Sequence, residues 1–151
     1  MSPTPTRLAL DWATIHADCA TLAARLAAAG PFAGLVAVTR GGLVPAALLA
    51  RALDLRRIET LGIVSYDESD RQGELTVVKP PGAVDGDGRG WLVVDDLADS
   101  GATLALARRL LPAARVATLY VKPAGQSQVD WSVRSYPSTV WIAFPWEQDS
   151  P

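Results

Sequence analysis

The sequence lacks the features on which several classes of protein depend. A single cysteine, Cys19, excludes an internal disulfide, and a single histidine excludes the usual zinc-ligand spacings. The formal net charge is only −2, so no overall positive field favours nucleic acid or an anionic membrane. No apolar run approaches the roughly 20 residues of a membrane-spanning helix, and residues 1–10 do not resemble a signal peptide. We therefore expect a soluble cytoplasmic protein without a nucleic-acid partner, folded as a single domain over residues 1–151.

The apolar residues, 49% of the chain, are numerous enough for a core and repeat with both helical and strand periods. One helix begins at Trp12, behind Asp11 as its N-cap, and is stopped by Gly30-Pro31. The other predicted helices are Val44–Leu53 and Leu104–Leu111, and the predicted strands are Gly34–Val38, Arg57–Tyr66, Trp91–Val94, Arg115–Val121 and Val140–Phe144, with Glu74–Lys79 as a hairpin arm. This alternation predicts an α/β fold, a mostly parallel sheet flanked by helices that binds ligands beyond the carboxyl ends of its strands.

The strongest chemical signal is the string Val93–Thr103, VVDDLADSGAT. An apolar strand leads into three acids and then into a Ser-Gly-Ala-Thr turn that opens a helix. The free N–H groups and the dipole of a helix N-terminus favour a phosphate, which Gly101 lets approach and to which Ser100 and Thr103 offer hydroxyls. Three carboxylates would repel a phosphate, so a divalent cation, sugar hydroxyls or both are needed between them. The alternative is a strand end whose acids only cap the following helix.

This string resembles the diphosphate-sugar binding motif of the type I phosphoribosyltransferases. Three further segments narrow the resemblance to the bacterial xanthine-guanine subfamily: Ala37–Arg51 (AVTRGGLVPAALLAR), Val121–Gly125 (VKPAG) and Thr139–Glu147 (TVWIAFPWE). With Ser65-Tyr66-Asp67 between them, the resemblance covers residues 11–147. It implies the type I phosphoribosyltransferase fold with a flexible hood loop over Tyr66–Gly90. The chain departs from the subfamily pattern in Ala102, where glycine is common, in Thr39, where serine is usual, and in its short end after Glu147.

The resemblance implies that a 5-phosphoribosyl group passes from 5-phosphoribosyl 1-diphosphate (PRPP) to N9 of a 6-oxopurine in purine salvage, with release of pyrophosphate. The expected bases are xanthine and guanine, with hypoxanthine weaker, and the expected cofactor is Mg²⁺. The residues implied in PRPP binding are Arg40, Gly41, Asp95, Asp96, Asp99, Ser100, Gly101, Ala102 and Thr103, with Asp95 and Asp96 also holding the metal or its waters. Asp99 is the implied acceptor of a purine proton. Lys122 would donate to the 6-oxo group, Trp141 would stack on the base, and the Ile142 carbonyl would accept from its N–H groups.

Several of these residues have ordinary alternatives. The Arg40-Gly41 turn is weak evidence by itself, although the resemblance implies a strained or cis peptide there. A lysine at a strand end is usually solvated, and a tryptophan near a strand start, such as Trp141, usually packs in the core. Two other functions stay open: a phosphoribosyltransferase for another base, and a nucleotide-binding regulator without turnover. The resemblance further implies a homotetramer or dimer, and it leaves peripheral association with the inner membrane open.

Overall fold

The computed structural model describes residues 3–65 and 74–147. Its strands are β1 (Thr6–Ala9), β2 (Gly34–Thr39), β3 (Ile58–Ser65), β4 (Leu75–Lys79), β5 (Trp91–Ala98), β6 (Arg115–Val121), β7 (Arg134–Ser135) and β8 (Val140–Ala143). Its helices are α1 (Trp12–Ala29), α2 (Leu43–Ala52), α3 (Ala102–Leu110) and a 3₁₀ helix (Pro123–Gln128) that follows β6. Strands and helices alternate along much of the chain, as the sequence predicts.

The main sheet has six strands in the order β4-β3-β2-β5-β6-β7. All neighbouring pairs are parallel except β3 and β4, which are antiparallel. Because parallel strands point the same way, the segments that follow β2, β5 and β6 emerge at one edge of the sheet. The mostly parallel sheet is thus confirmed, and its carboxyl edge collects the polar motifs of the sequence.

Side chains alternate between the two faces along each strand, and both faces of this sheet are apolar. Helices therefore cover both faces. In β2, Leu35 and Ala37 pack with α1 and α2, whereas Val36 and Val38 belong to a second cluster with α3. The fully buried side chains Ile15, Leu22 and Leu26 of α1 and Leu49 of α2 complete the first cluster. The two clusters hold the central strands rigidly, so the loops at the carboxyl edge start from fixed positions.

Helix α1 begins and ends where the sequence predicts. The Asp11 carboxylate accepts a hydrogen bond of 2.8 Å from the Thr14 N–H, and Gly30 is the C-cap. Trp12, at the start of the apolar face, is half exposed and lies at its edge, with its ring centroid 5.9 Å from that of Trp146. None of the helices in the described ranges is long and apolar enough to span a membrane.

The predicted strand Trp91–Val94 ends too early. In the structure β5 runs to Ala98, because Asp95 and Leu97 pair with Thr118 and Tyr120 of β6. Asp95 and Asp96 therefore lie within the strand, whereas Asp99 follows it, and α3 begins at Ala102. The predicted strand stops before the first polar residue, whereas in the structure backbone pairing with β6 decides where the strand ends.

The N-terminal strand β1 and the two-residue strand β7 were not predicted. β1 pairs in parallel with β8 in a separate two-stranded sheet, so the predicted strand Val140–Phe144 does not join the main sheet. Strands of two and four residues are too short for a hydrophobic period to reveal them. Their position matters because β8 carries Trp141 and Ile142.

The hood predicted over Tyr66–Gly90 is wrong for residues 80–90. Its first part, through residue 73, lies outside the described residues. β4 runs antiparallel to β3 and returns the chain to the amino edge of the sheet, where the Gly90 carbonyl accepts from the Ala33 N–H at 2.8 Å and the Asp87 carbonyl from the Ala113 N–H at 2.9 Å. Residues 80–90 therefore lie at the edge opposite the polar motifs and do not cover them.

Candidate active site

Three polar loops meet at the carboxyl edge of the sheet. Arg40 follows β2, Asp99 follows β5 and Lys122 follows β6. The Lys122 N–H donates to the Ala98 carbonyl at 2.9 Å, which ties the end of β6 to the end of β5. The peptide between Thr39 and Arg40 is cis, one bond before the position implied by the resemblance. The structure thus brings together the segments that carry the predicted PRPP residues and Lys122.

Asp95 and Asp96 form a largely buried acidic pair in the last part of β5. Asp95 is only 7% exposed, and its Oδ1 accepts a hydrogen bond of 2.8 Å from the Asp96 N–H. Burial raises the pKa of Asp95 well above its ordinary value, and the charge of Asp96 adds to the shift. Burial also raises the pKa of Asp96, with the charge of Glu147 as a further cause. Two such carboxylates are stabilised in their charged form by a bound cation.

Gly41 lies directly against the Asp96 carboxylate. A β-carbon added at Gly41 would lie 2.6 Å from Asp96 Oδ2 and 2.7 Å from Oδ1. Gly41 also borders a cavity of about 750 Å³, which is lined by Arg40, Gly41, Leu43, Val44, Trp146 and Glu147. Glu147 was not predicted as a site residue, although it closes the last matched segment. Its placement depends on a local turn, in which its Oε2 accepts from the Phe144 N–H at 3.2 Å.

The Ser-Gly-Ala-Thr turn forms a second, smaller cavity at the start of α3. Its volume is about 90 Å³, and its lining includes Asp95, Asp99 and the four residues Ser100–Thr103. Gly101 has φ +87°, a conformation that favours glycine, and the Ser100 Oγ accepts from the Ala102 N–H at 3.2 Å. A small cavity at a helix N-terminus suits one phosphate group. The structure therefore gives the turn the shape that the sequence predicts for it.

Lys122 is the least expected residue of the edge, because it is buried. Only 5% of it is exposed, and its Nζ lies 3.6 Å from Asp99 Oδ1, whereas 65% of the Asp99 side chain is exposed. The ordinary alternative, a solvated lysine, is wrong for this residue. A buried ammonium beside an accessible carboxylate offers one donor and one acceptor to the same small molecule.

Trp141 and Ile142 differ in burial as alternate residues of one strand should. Trp141 is 57% exposed, so the core alternative is wrong for it, while Ile142 is 5% exposed. The Thr139 carbonyl accepts from the Thr6 N–H of β1, and the Ala143 carbonyl accepts from the N–H of Leu10, which follows β1. Because successive carbonyls of a strand point in opposite directions, the Ile142 carbonyl points away from β1. Both the ring and this carbonyl are thus available, but their contact with a base stays a prediction.

The donor set fits Mg²⁺ better than a zinc-like metal. Asp95 and Asp96 supply hard carboxylate oxygens, and a β-carbon at Gly41 would fill the space directly against the Asp96 carboxylate. Within residues 3–65 and 74–147, no three His, Cys, Asp or Glu side chains form a complete metal site. An ion held by this pair would need further oxygen ligands from substrate or water, which is how Mg²⁺ is usually bound.

The parallel sheet and the acidic strand end followed by a phosphate-sized turn define a class of protein to which a family model can be compared. The phosphoribosyl transferase domain matches residues 10–150, and the chain belongs to this family.

Within this family, the chain is similar in sequence to relatives of one subfamily. The chain is 49% identical over 140 residues to the xanthine-guanine phosphoribosyltransferase of Gluconobacter oxydans, with 91% of this chain and 83% of that protein covered. It is 44% identical over 141 residues to the enzyme of the same name from Desulfotalea psychrophila, with 93% and 86% covered. The crystal structure of purine phosphoribosyltransferase from Pyrococcus horikoshii superposes with a TM-score of 0.82 at 26% identity, and 96% of each chain is covered.

Proposed function

We propose that this protein transfers the 5-phosphoribosyl group of PRPP to N9 of a 6-oxopurine and releases pyrophosphate, as a purine salvage enzyme. Xanthine and guanine are the preferred bases and hypoxanthine is the weaker one. The observation that carries the proposal is the pair formed by buried Lys122 and accessible Asp99, 3.6 Å apart and adjacent to the phosphate-sized turn. This pair fits a molecule that accepts at one atom and gives up a proton at another, as a 6-oxopurine does.

The reaction breaks the bond between C1 of the ribose and the diphosphate oxygen and forms a bond from C1 to purine N9. The electron pair of the broken bond leaves with pyrophosphate, and positive charge develops on the sugar ring. The proton that the purine ring must lose, at N7, passes to the Asp99 carboxylate, which is exposed and within reach of the turn. Mg²⁺ bound with the diphosphate would neutralise the charge that develops on the leaving group.

The PRPP subsite uses the two cavities of the edge. Ser100, Gly101, Ala102 and Thr103 hold the 5-phosphate through the free N–H groups and hydroxyls of the turn. Asp95 and Asp96 hold the ribose hydroxyls and the metal or its waters. Arg40 and the N–H groups around Gly41 hold the pyrophosphate, since arginine can meet two phosphate oxygens at once. Arg40 and Gly41 line the same cavity, and Gly41 lies against the Asp96 carboxylate, which supports this arrangement.

The base subsite selects for oxygen at C6. The Lys122 ammonium is a donor only, so the 6-amino group of adenine would place a second donor against it in a buried place, where the 6-oxo group would accept. The Ile142 carbonyl accepts from the N–H donors at the other side of the ring, and the exposed Trp141 ring stacks on its face.

Two alternatives compete with this proposal. A phosphoribosyltransferase for another base would keep the same PRPP subsite. A regulator that binds nucleotides without turnover would keep the fold, yet it would have no need for three acids at the strand end or for Asp99 beside Lys122. The regulator does not account for a buried lysine beside Asp99 as well as the proposed enzyme does.

One assay separates these alternatives. Pyrophosphate release is measured from PRPP and Mg²⁺ with xanthine, guanine, hypoxanthine, adenine or orotate offered singly. We expect release with xanthine and guanine, less with hypoxanthine, none with adenine or orotate, and none after addition of EDTA. Release with adenine or orotate alone would support another base. A folded protein that binds PRPP but is silent with all five bases would support the regulator.

Assembly and location follow the same resemblance. We propose a homotetramer or dimer, which sedimentation at micromolar concentration would test. Cytoplasmic location and peripheral association with the inner membrane stay predictions, tested by fractionation of cells that express the chain.

A further inference from the structure

Arg108 links α3 to the segment that follows the 3₁₀ helix. Its Nε donates to the Gln128 carbonyl at 2.9 Å, and its NH2 group donates to Asp130 Oδ2 at 3.0 Å. The same Asp130 oxygen also accepts from the Val116 N–H at 2.8 Å, at the start of β6. The Arg108 guanidinium thus connects α3, which begins in the turn Ser100–Thr103 (the phosphate turn), to the last residue of the 3₁₀ helix. Through Asp130 it also connects α3 to the start of β6.

The 3₁₀ helix is one wall of the phosphate turn. A β-carbon added at Gly101 would lie 3.1 Å from the Gly125 Cα and 3.2 Å from the Gln128 Cγ. A β-carbon at Gly125 would lie 2.5 Å from the Ala98 carbonyl oxygen. The wall is therefore in van der Waals contact with the turn that would receive the 5-phosphate. A small shift of the wall changes the space that Gly101 occupies.

This wall is short and depends on its two ends. A six-residue 3₁₀ helix has little stability of its own. Its first end is fixed where the Lys122 N–H donates to the Ala98 carbonyl, and its last end is fixed by Arg108. Arg108 follows Gly101 by seven residues, which is two helical turns, so it lies on the same side of α3 as the turn. It touches neither proposed substrate group and acts only through the backbone of Gln128 and the carboxylate of Asp130.

We propose that Arg108 is a positioning residue for the 5-phosphate subsite. By holding Gln128 and Asp130 to α3, it fixes the 3₁₀ helix against Gly101 and thereby fixes the turn that binds the phosphate. The inference rests on the proposed function for its substrate, while the geometry of the clamp does not depend on that function.

The test compares Arg108→Ala with Arg109→Ala, which removes the neighbouring, exposed arginine of the same helix. We expect Arg108→Ala to raise the KM for PRPP about tenfold, the size usual when an outer residue that orients a binding group is lost. We expect kcat, the KM for guanine and the order of base preference to stay close to wild type, and Arg109→Ala to behave as wild type. Asp130→Ala should also raise the KM for PRPP, and the double variant should lose less than the two single losses combined, since Arg108 and Asp130 share one hydrogen bond while each keeps other partners.

Two further measurements complete the test. Arg108→Lys, which can reach only one of the two acceptors, should recover part of the PRPP affinity, and it replaces Arg108→Ala if that variant fails to fold. Calorimetric binding of ribose 5-phosphate, without purine, should weaken by the same factor in Arg108→Ala. If the wild type binds ribose 5-phosphate but turns over no base, the proposed function fails and this affinity alone decides the role of Arg108. Unchanged PRPP and ribose 5-phosphate affinity, an equal loss in kcat and both KM values, or no binding of ribose 5-phosphate by the wild type would overturn the proposal.

Discussion

Replacing Gly41 by alanine is the sharpest test of the acidic pair. The added methyl carbon would lie 2.6–2.7 Å from three atoms of the Asp96 carboxylate, whereas ordinary contact begins at 3.4 Å. The carboxylate would therefore have to move by about 0.8 Å or rotate away. Gly41 does not have a positive φ, so alanine brings no backbone strain of its own. The first group that the added methyl meets is thus the Asp96 carboxylate.

Its magnitude follows from how strictly a reacting group must be placed. A misplacement of about 1 Å can cost on the order of a hundredfold in rate, and rotation of the side chain relieves part of that. We expect kcat/KM for PRPP to fall about 30-fold, which corresponds to about 2 kcal/mol of transition-state stabilisation. Half-saturation should need more Mg²⁺, while the free energy of unfolding should change little, since the methyl group meets only the end of a side chain.

The assay is pyrophosphate release at several Mg²⁺ concentrations, with Gly82→Ala as the control. Gly82 has neither a positive φ nor any atom within 4 Å of an added β-carbon, so the control should behave as wild type. In an Asp96→Ala background, Gly41→Ala should weaken PRPP binding no further. Equal activity of Gly41→Ala and Gly82→Ala would refute the reasoning. A full loss that persists without the Asp96 carboxylate would assign the effect to pyrophosphate binding at the Gly41 backbone instead.

Three more predictions concern single side chains. Tyr120→Phe removes a 2.6 Å hydrogen bond to the buried Asp18 carboxylate. Urea titrations should show a loss of about 1.5–3 kcal/mol in the free energy of unfolding, whereas the control Tyr136→Phe should change this free energy little. The ammonium of Lys79 is paired with the Glu59 carboxylate and lowers the pKa of Glu59 from 4.5 to about 2. The contribution of this carboxylate to stability is therefore present above pH 4.5 and is lost as the pH falls toward 2. Glu59→Gln should flatten the acid branch of the plot of unfolding free energy against pH, and an unchanged branch would contradict this. Trp141→Ala should raise the KM for guanine by about five- to 150-fold, the range expected when a base–aromatic stack is lost. The midpoint of thermal unfolding should stay near that of the wild type, because the ring is exposed. An unchanged KM would remove Trp141 from the base subsite.

The sequence predicts the parts of the fold in which local pattern and tertiary packing agree. The N-cap at Asp11, the strand Arg115–Val121 and the hairpin arm Glu74–Lys79 are confirmed, because each is a β-rich run of strand length or has a specific end signal. The end of β5 was predicted wrongly because aspartates are rare in strands, and only the pairing with β6 keeps Asp95 within one.

The candidate site shows the same division. The turn at Ser100–Thr103 could be predicted because its residue types are local and specific. The burial of Lys122, its approach to Asp99 and the position of Glu147 beside the acidic pair could not, because each joins segments that are distant in the sequence. A lysine after a strand is solvated in most proteins, whereas this one is buried by tertiary packing, which makes it an unusual donor.

The glycines of the matched segments explain why these distant segments form one site. A β-carbon at Gly42 would lie 2.5 Å from the Val94 carbonyl oxygen, one at Gly41 would meet the Asp96 carboxylate, and one at Gly125 would meet the Ala98 carbonyl. All three positions abut the last part of β5. Each glycine thus lets a loop from a neighbouring strand lie against β5 more closely than any other residue would allow. In the sequence these glycines indicate only turns; in the fold they set the spacing between the acidic pair, the phosphate turn and the loop that carries Lys122.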